Sequence, residues 1–281
     1  MDIATKNYID ILDRRSIADA INVLGQFCGM RDVDCLNRTS LLAKYGIDQA
    51  DVFVLFGGSI LAGGDLLAQA IKDRIARVYV IVGGAGHTTE TLRQTVHGEY
   101  PRIQTVGLPE AEIFQKYLKE VYSCEADHLE SKSTNCGNNI TYLLDLLAEK
   151  NIKYSSIILC QDATMQRRMD AGLRKYAEDD LQIINYASYR AAVTAENNGL
   201  AYSEHIRGMW DMDRYVNLLM GEIPRLKDDE NGYGPSGKNF IAHVDIPGTV
   251  YDAFCQLKQV YGEITREANP LYASNGYKVN K

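Results

Sequence analysis

The sequence predicts an α/β protein: a Rossmann-like, doubly wound, mostly parallel sheet with a second, smaller and mainly helical domain. Three observations predict it. Short, continuous apolar runs end in glycine or a polar residue, as in "ADVFVLFGG" (50–58) and "RVYVIVGG" (77–84). Amphipathic stretches of helical period separate those runs, and the alternation is confined to the middle of the chain. Uninterrupted apolar runs suit strands covered on both faces. Alternation with helices implies a parallel sheet, and right-handed crossovers then wind it in both directions.

Taken in order, residues 6–44 read as helical, with Ile17, Ile21, Leu24 and Cys28 at helix spacing. Residues 50–58 and 77–84 are the first two strands, and "IQTVG" (103–107) is a weaker third. "SSIILCQD" (155–162) is the fourth and "LQIINYAS" (181–188) the fifth. The helices between them are "LLAQAIKDR", "EAEIFQKYLKEVY", "NNITYLLDLLAEK" and "MQRRMDAGLRKYA". This places a Rossmann-like ligand-binding domain at residues 48–190. After Tyr189 the strand rhythm stops. "SEHIRGMWDMDRYVNLLMGEI" reads as a helix ended by Pro224, and a glycine-rich loop (231–237) follows. Residues 1–47 and 191–281 are assigned to a helical domain packed against the first.

Composition narrows the function classes. A chain of 281 residues with 46% hydrophobic and 24% charged residues has the makeup of an ordinary globular protein. A net charge of -7 supplies no basic footprint for nucleic acid or anionic lipid. No apolar run reaches the ~20 residues of a membrane span, and the acidic N-terminal stretch does not look like a signal peptide. A cytoplasmic location is the expectation. The six cysteines lack any Cys-x-x-Cys pattern, so they read as reduced packing thiols, with no structural metal expected.

Ligands of open parallel sheets bind at the carboxyl ends of the strands. Three stretches fall at expected strand ends: Gly57-Gly58-Ser59, Gly83-Gly84-Ala85-Gly86-His87 and Gln161-Asp162-Ala163-Thr164. Ser133-Thr134-Asn135 lies just before a helix. Specific phosphate-binding templates do not fit. Thr89 stands where the Gly-x-Gly-x-x-Gly fingerprint starting at Gly84 needs glycine, and the acidic residue expected about 20 positions on is missing. A P-loop starting at Gly58 has Gly64-Asp65 where Lys-Ser/Thr is required. Leu61 breaks a Gly-x-Ser-x-Gly elbow around Ser59. What remains is an edge of backbone N–H groups and small polar side chains, suited to a nucleotide-like or carboxylate-bearing ligand. A bare backbone at Gly84 would let such a ligand approach.

Individual residues carry two readings each. His87, or a neighbouring threonine, caps a helix, or it faces the ligand and titrates near neutrality. Thr134-Asn135 is a cap or, with Asn138 and Asn139, part of a polar network. Asp162 with Arg167 and Arg168 is an ion pair or a holder of anions. Glu110 and Glu130 are hydroxyl acceptors or surface charges. Met165, Met169 and Leu173 are core, as is Trp210, the lone tryptophan.

Several of these segments together resemble the YdcF-like family of bacterial proteins, a wider group that includes SanA and ElyC. They are Gly83-Gly84-Ala85-Gly86-His87, Glu110-Ala111, Ser133-Thr134-Asn135-Cys136-Gly137, Gln161-Asp162-Ala163-Thr164-Met165-Gln166-Arg167-Arg168 and the tail "GEIPRLKDDENGYGPSGKNFIAHVDIP". The resemblance covers nearly the whole chain. It implies a Rossmann-like domain with a smaller helical one and S-adenosylmethionine bound between them; it implies no established reaction. Met165 stands where the family often has histidine, and Asn138-Asn139 where it commonly has Glu-Asn; Asn135, Asn139 and Arg168 match. The ligand-binding set expected on this basis is Gly57, Gly58, Gly83, Gly84, Gly86, His87, Glu110, Ser133, Thr134, Asn135, Asn139, Asp162, Gln166 and Arg168. The functions in view are a binder or user of S-adenosylmethionine or a related nucleotide, a hydrolase or transferase of a phosphorylated or envelope-derived metabolite, and a non-catalytic ligand sensor.

Overall fold

The computed structural model describes residues 3–58, 60–86, 88–197 and 199–262. It contains a five-stranded, all-parallel sheet in the order β3-β2-β1-β4-β5. The strands are β1 (Ala50–Phe56), β2 (Ala76–Val82), β3 (His128–Glu130), β4 (Ser156–Cys160) and β5 (Gln182–Asn185). In register, Val54 faces Val80 on one side and Leu159 on the other. Successive side chains point to opposite faces, so a strand buried on both sides must be apolar throughout. Phe53, Leu55, Tyr79, Ile81 and Cys160 face a layer containing α3 (Ala62–Lys72), α4 (Thr89–Glu99) and α5 (Glu110–Tyr117). Val52, Val54, Phe56, Val80 and Leu159 face α6 (Cys136–Glu149) and α7 (Gln166–Arg174). The fold is therefore α/β and doubly wound, as the alternation of strand and helix requires.

The third strand is not where periodicity placed it. Residues 103–107 are irregular: Ile103 is buried under the end of α4, Thr105 donates its hydroxyl to Arg93 O, and Gly107 turns at φ +74°. The sheet position is taken by His128–Glu130, whose three residues are too few to show a period. Between α5 and β3 lies a π-helical turn, Leu118–Tyr122.

The N-terminal helical stretch is broken. α1 (Ile3–Cys28) buries Ile21, Leu24 and Cys28, and α2 (Arg38–Tyr45) starts only after Asn37 caps it by accepting Ser40 N–H at 2.8 Å. Beyond Tyr189 the strands do not stop. β6 (Val193–Glu196) and β7 (Gly199–Tyr202) form an antiparallel hairpin. Residues 203–211 are loop, and α8 (Met212–Leu226) begins where Asp211 accepts Arg214 N–H. α8 runs through Pro224 rather than ending there. Only two helical residues follow the proline, so few backbone bonds are sacrificed. α9 (Gly248–Tyr261) completes the described chain.

A third apolar cluster joins α1, α8, α9 and the hairpin to the carboxyl edge of the sheet through Ile60, Ala163, Ala187 and Tyr189. A buried ion pair reinforces this junction: Arg168 on α7 forks onto both oxygens of Glu222 on α8, with Nη2 to Oε1 at 3.0 Å. Losing one partner strands the other charge in the interior. Glu222→Leu is therefore expected to destabilise by about 3–5 kcal/mol, read by urea unfolding. Adding Arg168→Met should recover much of that loss, because no lone charge then stays buried.

Candidate functional site

The carboxyl ends of β1 to β4 bring most of the expected site residues to one edge. Parallel pairing continues one residue past two of the strands: Gly57 donates to Val82 O (2.6 Å) and Gly83 to Glu130 O (2.8 Å). The strand order reverses between β1 and β4. Loops leaving such a pair diverge to opposite faces and open a crevice at the carboxyl edge. Gly57-Gly58 borders this crevice from β1, and Gln161-Asp162 borders it from β4.

The glycines differ in purpose. An added Cβ at Gly57 or Gly83 would press on the Glu110 side chain, at 2.9 and 3.0 Å from its Cβ. Their bareness makes room for that carboxylate. Gly84 does not leave space for a ligand, contrary to the sequence reading. A Cβ there would collide with Ser133 O and lie 2.9 Å from Lys132 C and Ser133 N. Gly84 N–H donates to Ser133 Oγ (3.2 Å), and Gly84 O accepts Glu110 N–H (2.9 Å). Its role is to let two loops touch. Gly58 and Gly86 behave oppositely: the nearest atoms to an added Cβ are Gln161 Oε1 at 3.6 Å and Thr134 O at 3.7 Å, both ordinary contacts. A side chain at these two positions would meet a neighbour at ordinary contact distance without displacing it.

Glu110 opens α5 and is only 7% exposed. Its Oε1 accepts the hydroxyls of Thr88 (3.1 Å) and Thr89 (2.8 Å), and Thr89 Oγ1 in turn accepts Gly86 N–H (2.7 Å). Burial raises the Glu110 pKa above the ordinary carboxyl value; the threonine hydroxyls and Arg93 oppose it more weakly. Glu130, the other acidic candidate, is a loop brace: its Oε1 accepts the N–H groups of Lys132 (2.6 Å) and Ser133 (3.1 Å). Asn135 caps α6 by accepting Asn138 N–H (3.0 Å). Asn135 Nδ2 and Thr134 Oγ1 both donate to Asn138 Oδ1. Asn139 follows half-buried in the first turn.

On the β4 side, Asp162 does not pair with arginine. Its carboxylate accepts Thr164 N–H (2.8 Å), Thr164 Oγ1 (2.7 Å), Tyr189 OH (2.8 Å) and Trp210 Nε1 (3.0 Å). Four donors leave it little capacity for a ligand. Arg167 stacks on the Phe27 ring at 4.0 Å, and Arg168 is committed to Glu222. Gln166 is fully buried, accepting Gln161 N–H (2.8 Å) and donating to Leu159 O (2.8 Å) and Asn185 Oδ1 (2.9 Å). Gln166 and Arg168 are thus interior residues rather than ligand contacts. His87 and Ser59 lie outside the described residues.

Sequence reasoning missed the loop 203–211. Trp210 is half-buried and tied to Asp162 rather than sunk in the core. Arg207 donates to Tyr100 OH (2.6 Å), Glu99 (2.8 Å), Tyr117 OH (3.1 Å) and Asp65 (3.2 Å). The two residues fasten the loop to the sheet half at separate points. Tyr202, Met209, Trp210, Glu204 and His205 line a shallow concavity of about 520 Å³ on it. The available signal was Gly208, a left-handed glycine (φ +73°) inside a stretch read as continuous helix. Among the described residues no helix is long and apolar enough to cross a membrane. The chain matches no protein-family model.

Two outcomes follow from this geometry. Gly84→Ala is expected to destabilise by about 1–3 kcal/mol through overpacking, whereas Gly58→Ala should change stability by no more than about 1 kcal/mol; thermal melts of both check this. Glu110 has a raised pKa in the folded state, so its contribution to stability is greatest below the unfolded value and falls as pH rises through the folded one. Glu110→Gln should therefore gain stability relative to the parent as pH rises above the ordinary glutamate value. A difference in melting temperature that stays flat with pH would contradict this.

Proposed function

We propose that the chain binds an adenosine-bearing small molecule, with S-adenosylmethionine the first candidate, in the crevice between β1 and β4. One observation carries the reading. At the carboxyl edge, Gly58 and Gly86 present bare backbone with no neighbour closer than ordinary contact distance to an added Cβ, and a buried carboxylate, Glu110, sits between the ends of β1 and β2. Bare backbone admits close approach of a flat or bulky ligand. A carboxylate at that edge accepts hydroxyl protons, as a ribose would offer. The resemblance to the YdcF-like family favours S-adenosylmethionine among such ligands.

Separate points along the edge offer different partners. α3 and α7 begin there without a side-chain cap, so their first N–H groups and the positive ends of their dipoles favour a negative group. Glu110, on the α5 side, favours hydroxyl or ammonium donors. A ligand with hydroxyls at one end and a carboxylate at the other fits this division. The reading supplies a binding site; a reaction would need an acceptor molecule as well.

Calorimetric titration with S-adenosylmethionine, S-adenosylhomocysteine, ATP and NAD tests it. The expected result is saturable binding of the first two and none of NAD. Gly58→Val should weaken that binding at least about tenfold, equivalent to about 1.4 kcal/mol, while the variant melts near the parent. Absence of binding by every adenosine compound would overturn the proposal.

A further inference from the structure

A chain of buried amides and carboxylates runs from α7 into the sheet and out to its carboxyl edge. Arg174 donates to Asp170, Asn185 Nδ2 donates to Asp170 (2.8 Å), Gln166 Nε2 donates to Asn185 Oδ1 (2.9 Å), and Gln166 Oε1 accepts Gln161 N–H (2.8 Å). Gln161 ends the chain at the β1/β4 switch point. Its orientation is fixed, because its Oε1 accepts Asp162 N–H at 2.6 Å and a flipped amide would set two donors against each other. Its Nε2 is then a donor with no acceptor among the described residues, on a side chain only 1% exposed. In the same network Gln166 Nε2 makes two donations and Asn185 Nδ2 makes one. A buried donor left open at the end of an otherwise paired network is costly unless something completes it.

We infer that Gln161 is a ligand-binding residue whose Nε2 donates to a carboxylate carried by the bound molecule. Gln161 lies beside Gly58, with Oε1 3.6 Å from where a Cβ would stand on that half-exposed glycine. Its chain leads directly into α7, a helix whose first residues lack a side-chain cap and so present the positive end of its dipole. These features favour a negative group. The carboxylates of Asp162 and Glu110 share the same edge, which disfavours a doubly charged phosphate. A single-charged carboxylate, as on an amino acid, is the group that fits both conditions. The inference rests on the proposed function only for the adenosine half of the ligand. It deepens that reading by assigning the orientation: the amino-acid end toward Gln161, the ribose toward Glu110.

The test uses ligand pairs that differ in the carboxylate, on the full-length protein and on Gln161→Glu and Gln161→Met. Gln161→Glu keeps the acceptor for Asp162 N–H and replaces the donor with a charge that repels a carboxylate. Gln161→Met, checked by thermal melt, serves if the glutamate variant does not fold. The parent should bind S-adenosylhomocysteine at least about tenfold more tightly than 5′-methylthioadenosine, which lacks the amino-acid group. In either variant that preference should vanish, with methylthioadenosine changed by no more than about twofold. Equal weakening of both ligands, or no preference in the parent, would overturn the inference. An independent arm follows the Gln161 side-chain amide by NMR during titration with L-methionine, methioninol and inorganic phosphate. A downfield shift with methionine alone supports the assignment even if no adenosine compound binds, in which case only the adenosine reading fails. A shift with phosphate alone, or with none of the three probes, would overturn it.

Discussion

The carboxylate of Asp162 is the point on which the two halves of the molecule hinge. It sits one residue past the end of β4's neighbour Gln161, and it takes donors from three separate segments: Thr164 before α7, Tyr189 after β5 and Trp210 before α8. A buried carboxylate is tolerable only when its lone pairs are filled. Filling them here requires the sheet edge, the β5 exit and the loop 203–211 to be in place together. Asp162 thus couples the sheet's carboxyl edge to the helices of the third cluster. The Arg168–Glu222 pair and the packing of Ile60 and Ala163 act along the same junction. Mutual Coulomb attraction alone would not favour burying so many polar groups. Each is held by hydrogen bonds that a displaced partner segment would forfeit.

The edge itself is shaped by what glycine omits. Parallel strands end in a row, and helices start within a few residues of each end, so the space between is small. Gly57 and Gly83 let α5 return to the edge and insert Glu110 between β1 and β2, while Gly84 lets the β3 exit loop close against the β2 exit. Those three glycines are spent on backbone packing. Gly58 and Gly86 are not packed this tightly: an added Cβ there would meet its nearest neighbour at ordinary contact distance. The same residue type at five neighbouring positions therefore has two physical purposes, decided by the direction in which each missing Cβ would have pointed.

Much of this fold was legible in the sequence because strands buried on both faces leave a plain mark. The runs ending at Phe56, Val82 and Cys160 carry four or five consecutive apolar residues, and no solvent-facing alternation confuses them. β3 left no such mark, since His128, Leu129 and Glu130 are too few and too polar. The hairpin at 193–202 was hidden for a related reason: its strands are four residues each and half-buried. At the edge, sequence identified which residues gather but not which way they face. Asn135 was readable as a cap from its place before an apolar helical stretch. That Gln166 would turn inward to Asn185, or that Asp162 would choose Trp210 over Arg167, depends on contacts between residues 19 and 48 positions apart. No local pattern encodes those choices.

The division of labour at this edge bears on how recognition can be specific with so few side chains. In the site proposed above, backbone atoms at Gly58 and Gly86 would supply shape but tolerate many ligands, because bare backbone excludes little. Discrimination must then come from the few side-chain groups with fixed directions. Glu110 is fixed by two threonine hydroxyls, themselves held by the Gly86 turn. Gln161 has its backbone N–H held by Gln166 and its side-chain oxygen held by Asp162 N–H. Each is buried, so neither can rotate away to suit a poor ligand, and a mismatched group would leave it unpaired in a low-dielectric site. That penalty rejects wrong ligands more strongly than added contact favours right ones. The polar network through Gln166 and Asn185 holds the Gln161 backbone at the end of β4, and the Asp162 N–H then sets the direction of the Gln161 side chain.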